Sequence, residues 1–226
     1  MNAALLAEYG PALAGGLATT VLLSVAILAV ATLAGTALAL MRQSRLAVLA
    51  WPAAAYVSLF RVLPVLLVLF LMFYALPQLG IRLGPWLSAF AGLSLVGAAY
   101  MAEDIRGGLM AVDPGQVRAA RALGLSPART LGRIVAPQAV PIILAPYMTR
   151  AIIIVKSTSL ASFVAVGDLT GEAVRATAIT YEPFLFLTVA GLLYLALSGA
   201  LAGLQAWLEA RIARARRGPA PREAHA

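Results

Sequence analysis

Cysteine is absent from this 226-residue chain, and histidine occurs only once, at position 225. The lack of cysteine excludes disulfides and thiolate metal sites, and a single histidine in a C-terminal tail does not indicate a metal ligand. Charged residues make up only 12% of the chain, against 62% hydrophobic residues. This balance excludes an ordinary soluble domain. What the chain has in abundance is apolar runs long enough to cross the roughly 30 Å hydrocarbon layer of a membrane.

The positive charge comes almost entirely from arginine. Lys156 is the only lysine, and the formal net charge is +8. A basic balance can indicate nucleic-acid binding, but here the arginines cluster at the ends of apolar segments, where they report membrane topology. We therefore expect contact with membrane lipid and no binding of nucleic acid.

Five apolar segments are candidate membrane spans, and they predict an all-α, polytopic membrane protein. The fourth segment is broken by Pro141 and Pro146, and it carries the charges of Arg150 and Lys156. No basic region precedes the first segment, which argues against a cleaved secretory signal. Residues 1–217 are predicted to form a single transmembrane domain, and residues 218–226 a disordered tail. The spans are predicted at residues 11–40, 53–76, 86–110, 139–166 and 183–208.

The placement of arginine predicts the orientation. Arginines follow the first span, fill the connection between the third and fourth, and follow the fifth. The loops on the opposite side hold only Arg82 and Arg175, beside three acidic residues. The positive-inside rule then places the N-terminus outside and the C-terminus in the cytoplasm. Five spans make these two placements consistent with each other.

The connection between the third and fourth spans, residues 113–137, is polar and begins with helix signals. We call it the central insert. Asp113 can cap a helix with Pro114 in its first turn, and Gln116 stands where a capping-box partner belongs. This helix is predicted to run for about ten residues and to stop at Gly124, a typical C-terminal glycine.

The second half of the central insert carries another helix start. Ser126 can cap a helix with Pro127 in its first turn, and this helix is predicted to end before Pro137. Two short helices that meet at Gly124 form a compact elbow on the cytoplasmic side. The alternative is an ordinary loop whose four arginines lie near anionic lipid.

Charged residues near and within the spans each have more than one interpretation. Arg150 and Lys156 are costly to bury unless they are paired or hydrated. They therefore line a translocation path, snorkel, or pair with Glu103 or Asp104. No histidine or metal-ligand set accompanies the two acidic residues, which favours a helix-end salt bridge over acid–base chemistry. Arg61 is more simply structural. The candidates for a path are Arg61, Pro64, Glu103, Arg150, Lys156, Ser157, Thr158 and Ser159.

The central insert resembles the signature loop of binding-protein-dependent ABC importer permeases. That signature is Glu-Ala-Ala, a glycine four residues beyond the second alanine, and then an isoleucine and a proline. Ala119, Ala120, Gly124, Ile134 and Pro137 match it in type and spacing.

Three further segments resemble the polar amino-acid branch of that family, which includes histidine, glutamine and arginine permeases. YVSLFRVLP at 56–64 is similar to its FRGTP segment, and AAYMAEDIRGGL at 98–109 is similar to AYxAEIxRGG. KSTSLAS at 156–162 is similar to KDTSLAS. Four motifs in the same order cover most of the chain.

The chain departs from the family pattern at three places. Arg118 stands where the signature has glutamate, which reverses the charge at a position expected to contact the ATPase. Val62 and Leu63 replace the Gly-Thr of FRGTP, and Ser157 replaces the aspartate of KDTSLAS.

The resemblance implies the type I permease fold of an ABC importer in a bacterial inner membrane. Such a subunit moves a small polar solute, here an amino acid, into the cytoplasm by alternating access. It is not itself an enzyme and binds no cofactor, since ATP is held by cytoplasmic ATP-binding subunits. A second permease subunit and an extracytoplasmic solute-binding protein complete the implied assembly. The residues implied to couple to the ATPase are Gln116, Arg118, Ala119, Ala120, Gly124, Ser126, Pro127, Ile134 and Pro137.

Two other classes of function remain open at this stage. A self-sufficient secondary transporter or channel is favoured by inverted repeats or paired acidic residues in the spans, neither of which is clear here. A membrane-embedded enzyme requires a catalytic constellation that the sequence does not show. The sequence also contains no G-x-x-x-x-G-K-[ST] phosphate loop, so any ATP-driven motor must be another chain.

Overall fold

The computed structural model describes residues 2–216, and the tail predicted to be disordered lies outside them. The described part of the chain is almost entirely helical and contains no strand, which confirms the predicted all-α class. Short 3-10 or π-helical segments extend or join several helices. The α-helices are α1 (Asn2–Arg42), α2 (Ala47–Val62), α3 (Val65–Phe70), α4 (Pro85–Met110), α5 (Pro114–Ala122), α6 (Pro127–Thr130), α7 (Ala136–Ser157), α8 (Leu169–Thr180) and α9 (Pro183–Arg216).

Four helical stretches in the described residues are each long and apolar enough to cross a membrane, and a bent pair makes a fifth. The bend corrects the second predicted span, which is not one helix over 53–76. The chain turns by 105° between α2 and the helix that follows it. Leu63 is extended, with φ −67° and ψ 135°, because a residue before proline is pushed out of the helical region. Pro64 therefore separates two helices that the apolar pattern alone had merged.

The predicted ends of the fourth span are also corrected. The second helix of the central insert does not end before Pro137, because α6, a π-helical segment (Leu131–Val135) and α7 form one continuous helical stretch, Pro127–Val164. A proline ring normally clashes with the carbonyl four residues earlier, and the wider π turn directly before Pro137 provides room for it. Pro141 and Pro146 lie inside α7 and do not break it.

Helix α8 was not predicted at all. Residues 169–180 were interpreted as part of a loop, but Asp168 caps a helix there that packs against α1 and α9. The helix carries Gly171, Thr170 and Thr177, so its apolar face is short and its periodicity weak. Its stability depends on the core formed by Leu13, Leu169, Ala173, Ala176, Phe186 and Ala190.

Helix α1 lies at the centre of the bundle and runs along α4. Small residues allow this close approach: a Cβ atom on Gly35 would lie 2.8 Å from the Cβ of Met101. Within a bilayer, the hydrophobic effect does not drive helices together, so close van der Waals packing of this kind stabilises the bundle instead. A buried core in the same bundle joins α1, α3, α4 and α7 through Leu23, Ile27, Ala31, Leu69, Leu93 and Ile154.

Two neighbouring glycines of α1 provide a test of this packing. A Cβ on Gly16 would lie 2.9 Å from the Asp168 carbonyl oxygen, whereas a Cβ on Gly15 meets nothing within 4 Å. We expect Gly16→Ala to lower the free energy of unfolding by about 1 kcal/mol through overpacking. Gly15→Ala, the matched control, should instead raise it by up to about 1 kcal/mol through helix propensity. Thermal unfolding in detergent measures both, and equal shifts would contradict the packing described for α1.

Candidate functional site

An ion pair joins α4 to α7 inside the bundle. Arg150 donates from Nε to Asp104 Oδ2 at 2.8 Å and from Nη2 to Oδ1 at 3.2 Å. Each side chain is only 16% exposed. The guanidinium carbon lies 4.5 Å from the centre of the Tyr100 ring. Of the alternatives that the sequence left open for Arg150, the structure shows the pair with Asp104.

The neighbouring carboxylate, Glu103, contacts three arginines at once. We call this group the Glu103 cluster: Glu103 with Arg42, Arg61 and Arg106. Arg42 ends α1, Arg61 is in the last turn of α2, and Arg106 lies one turn further along α4. The Nη1 of Arg61 is 3.7 Å from Oε2, and the Nη2 of Arg106 is 2.9 Å from the same oxygen. Arg42 pairs with Oε1. The cluster therefore ties the ends of α1 and α2 to α4.

A cavity of about 320 Å³ lies between α1, α3, α4 and α7, directly beside the Arg150–Asp104 pair. Its polar lining consists of Tyr100, Arg150 and Ser157. Residues 150, 153, 154 and 157 all line it because positions three, four and seven apart share one face of a helix. The apolar lining consists of Ile27, Val65, Leu93, Val96, Gly97, Ile153 and Ile154. We call it the Arg150 cavity.

Lys156 lies on a different face of the same helix and lines a second cavity of about 390 Å³ with Ser159 and Tyr194. The two cations of the fourth span therefore do not share one site. Between the two serines, the Thr158 side chain is fully buried and donates to the Val155 carbonyl at 2.7 Å. The remaining path candidate, Pro64, lies at the bend before α3.

Asp168 is a buried acidic residue that was not among the predicted site residues. Its carboxylate accepts hydrogen bonds from the backbone N–H groups of Thr170 and Gly171, at 3.2 and 3.1 Å, and from the Tyr194 hydroxyl at 3.1 Å. Burial raises the pKa of Asp168, and these hydrogen bonds act in the opposite direction. The available signal was an aspartate just before a Leu-Thr-Gly run, a typical N-cap position. The network anchors α8 to α9 and has a structural role.

The central insert begins with the predicted capped helix. Asp113 accepts a hydrogen bond from the Gly115 N–H at 2.7 Å, and α5 ends at Ala122. Gly124 adopts a φ of +76°, a left-handed conformation that favours glycine. In the described part of the chain, the Gln116 side chain makes no hydrogen bond, so the capping box is not formed; only its backbone N–H bonds to the Asp113 carbonyl.

The second half of the central insert starts as predicted and then joins α7. The Ser126 hydroxyl accepts from the Arg129 N–H at 3.4 Å, and Pro127 opens α6. Ile134 is half-buried in the π-helical segment, and Pro137 is exposed in the first turn of α7. The predicted elbow at Gly124 is present, but its second arm belongs to the long helical stretch Pro127–Val164.

The outer surface of the central insert is basic. Arg118, Arg121, Arg129 and Arg133 are all exposed, and none of them forms an ion pair within residues 2–216. Leu123, at the tip of the elbow, is 82% exposed. Ala119 is exposed beside Arg118, whereas Ala120 faces the bundle and is buried. The central insert therefore presents an apolar tip surrounded by exposed positive charge.

Comparisons with known proteins agree on one family. Residues 31–214 match the family described as "Binding-protein-dependent transport system inner membrane component". The chain is 39% identical to an octopine transport system permease protein of Rhizobium meliloti, over 88% of this chain and 84% of that one. It is 33% identical to a probable amino-acid ABC transporter permease protein of Bacillus subtilis, over 94% of each.

A solved structure has the same fold. A chain from the crystal structure of an amino acid ABC transporter with histidines is 30% identical, with a TM-score of 0.86 over 91% of this chain and 96% of that chain. The chain described here therefore belongs to the binding-protein-dependent transport system inner membrane components and is a multi-pass permease subunit of an ABC importer, a transport component that works with ATP-binding subunits and a solute-binding protein.

Proposed function

We propose that this permease moves an amino acid or a closely related solute into the cytoplasm by alternating access. Its N-terminus would lie outside and its C-terminus in the cytoplasm, as the arginine distribution predicts. The names of the relatives support this solute class, since they include permeases for octopine, glutamine and arginine. A second permease subunit, identical or different, completes the translocation path.

The observation that carries this proposal is the continuous helical stretch Pro127–Val164. It begins in the exposed central insert and reaches the Arg150 cavity, which it lines with Arg150 and Ser157. From Pro127 to Ser157 it spans about 45 Å at 1.5 Å per residue. A continuous helical stretch of this length connects the insert to the cavity wall, and such a connection is what coupling to an external motor requires.

The central insert is the proposed docking surface for the ATP-binding subunit. Its exposed Leu123 would suit an apolar depression on that subunit, and the exposed Arg118 and Arg121 would favour acidic residues around it. The reversed charge at Arg118 then has a simple interpretation: the contact is kept, but its polarity is exchanged between the two partners.

Two substitutions at Gly124 test this coupling. A β-branched residue does not tolerate the left-handed conformation of Gly124, whereas asparagine does so at small cost. We expect Gly124→Val to abolish solute uptake in proteoliposomes while the partner subunit continues to hydrolyse ATP. Gly124→Asn, the control at the same position, should retain most of the coupled uptake. Wild-type uptake per ATP in Gly124→Val would contradict the role of the elbow.

The same reconstitution tests the broader proposal. The chain should co-purify from native membranes with an ATP-hydrolysing subunit. ATP-independent uptake by the chain alone would instead identify a secondary transporter.

A further inference from the structure

Arg150 has hydrogen-bonding capacity left over after it pairs with Asp104. A guanidinium group carries five N–H donors, and the two hydrogen bonds to Asp104 use one from Nε and one from Nη2. The stacking of Arg150 on Tyr100 holds the plane of the group in place. The remaining donors belong to a side chain that lines the Arg150 cavity. A fixed, partly unsatisfied guanidinium beside a cavity is suited to a carboxylate.

In the described part of the chain, Arg150 is the one charged side chain that lines the cavity, and on α4 the cavity adjoins the arginine–carboxylate network of Glu103 and Asp104. No acidic side chain is among the described residues that line it. Asp104 is occupied by Arg150, and Glu103 alone faces Arg42, Arg61 and Arg106. Four arginines are thus balanced by two carboxylates. A low-dielectric cavity beside such a group concentrates anions and disfavours cations.

Ser157 is the second polar residue of α7 that lines the cavity, after Arg150. It lies seven residues after Arg150, on the same face of α7, and lines the same cavity. In the KDTSLAS segment that this region resembles, an aspartate occupies this position. The serine here offers a hydroxyl but no negative charge, so a cationic solute group finds no counter-ion at this wall.

The rest of the cavity suits the carbon skeleton of a small solute. Ile27, Val65, Leu93 and Val96 form an apolar wall, and the volume of about 320 Å³ is at the lower end of known small-molecule sites. A compact solute with one or two carboxylates therefore has a place for both its charged and its apolar parts.

We propose that the Arg150 cavity is a solute subsite in which Arg150 binds a carboxylate, and that Ser157 makes it select anionic and zwitterionic solutes over cationic ones. This inference rests on the proposed transport function. It adds a charge filter within the membrane, separate from any selection by the solute-binding protein.

Direct binding tests the filter without the solute-binding protein. The permease with its ATP-binding subunit is placed in lipid nanodiscs, and the binding of radiolabelled L-glutamate, L-glutamine and L-arginine is measured. We expect glutamate and glutamine to bind at least about tenfold more tightly than arginine. Ser157→Asp should shift the ratio of glutamate affinity to arginine affinity toward arginine by about tenfold or more. Ser157→Asn, whose side chain has nearly the same shape as aspartate but no charge, should leave the ratio within about twofold of the wild-type value.

Ser198→Asp is the matched control, since Ser198 lines the second cavity, beside Lys156, and not the Arg150 cavity. It should leave the preference of the wild-type protein unchanged. If wild-type protein binds arginine as well as glutamate, or if Ser157→Asp and Ser198→Asp act alike, the inference is overturned. The wild-type ratio decides the matter even if Ser157→Asp does not fold.

Coupled uptake with the solute-binding protein separates the two levels of the argument. Intact ATP-driven uptake without measurable binding of any of the three solutes in nanodiscs overturns the subsite alone. If uptake by the wild-type protein does not depend on ATP, the proposed function is overturned as well. Binding with the expected preference, together with ATP-driven uptake, supports both.

Discussion

Replacing Asp104 with asparagine is expected to lower the free energy of unfolding by about 3 kcal/mol, because it would leave the nearly buried charge of Arg150 without a partner. The two side chains are each 16% exposed and joined by two hydrogen bonds. Removing one partner of a buried pair costs more than the pair contributes, since the remaining ion is desolvated without compensation. Chemical unfolding of the purified protein in detergent measures the loss.

A double variant and a surface pair give this prediction its controls. Asp104→Asn combined with Arg150→Gln removes both charges, and we expect it to recover all but about 1 kcal/mol of the loss. Arg175→Gln removes the cation of an exposed pair whose atoms are 4.0 Å apart, with 74% of Arg175 exposed. Its effect should stay within about 0.5 kcal/mol. A double variant less stable than Asp104→Asn would contradict the unpaired-charge argument.

Replacing Glu103 with glutamine is expected to have the second largest effect on stability. We expect it to lower the free energy of unfolding by about 2 kcal/mol. This carboxylate is the shared partner of Arg42, Arg61 and Arg106, and the variant leaves three guanidiniums facing one another. The estimate is lower than for Asp104 because Arg61 is 44% exposed and solvent screens it. Higher ionic strength should reduce the loss, since salt screens exposed like charges.

Arg106→Gln is the informative comparison for the Glu103 cluster. It removes a partner that lies three residues away on the same helix, so no contact between helices is lost, and it also lowers the local excess of positive charge. We expect a change within about 0.5 kcal/mol. If the two variants prove equally destabilising, the Glu103 carboxylate is not the element that ties α1 and α2 to α4.

The central insert shows how much local sequence can predict. Asp113 and Ser126 were predicted to cap helices and Gly124 to end one, and all three have those roles. These features depend on hydrogen bonds between residues two or three apart and on the conformational freedom of one glycine. The prediction that the second helix ends before Pro137 was wrong, because a π-helical turn lets the helix continue past this proline.

The path candidates show where such prediction ends. The sequence places Arg150 and Lys156 in one span, but it does not reveal which face each occupies relative to the other helices. The structure separates them into two cavities and gives Arg150 the partner Asp104, 46 residues away in the chain. That choice between Glu103 and Asp104 follows from the rotation of α4 against α7.

The sequence by itself determined the all-α membrane class and the helix caps of the central insert, because the hydrocarbon layer requires long apolar runs and helix ends require local partners. The tertiary structure alone decided the 105° bend after α2, the packing of α8 and the composition of the Arg150 cavity. These features depend on contacts between segments far apart in the chain, where small glycines set the distances between helices and buried charges must find a partner.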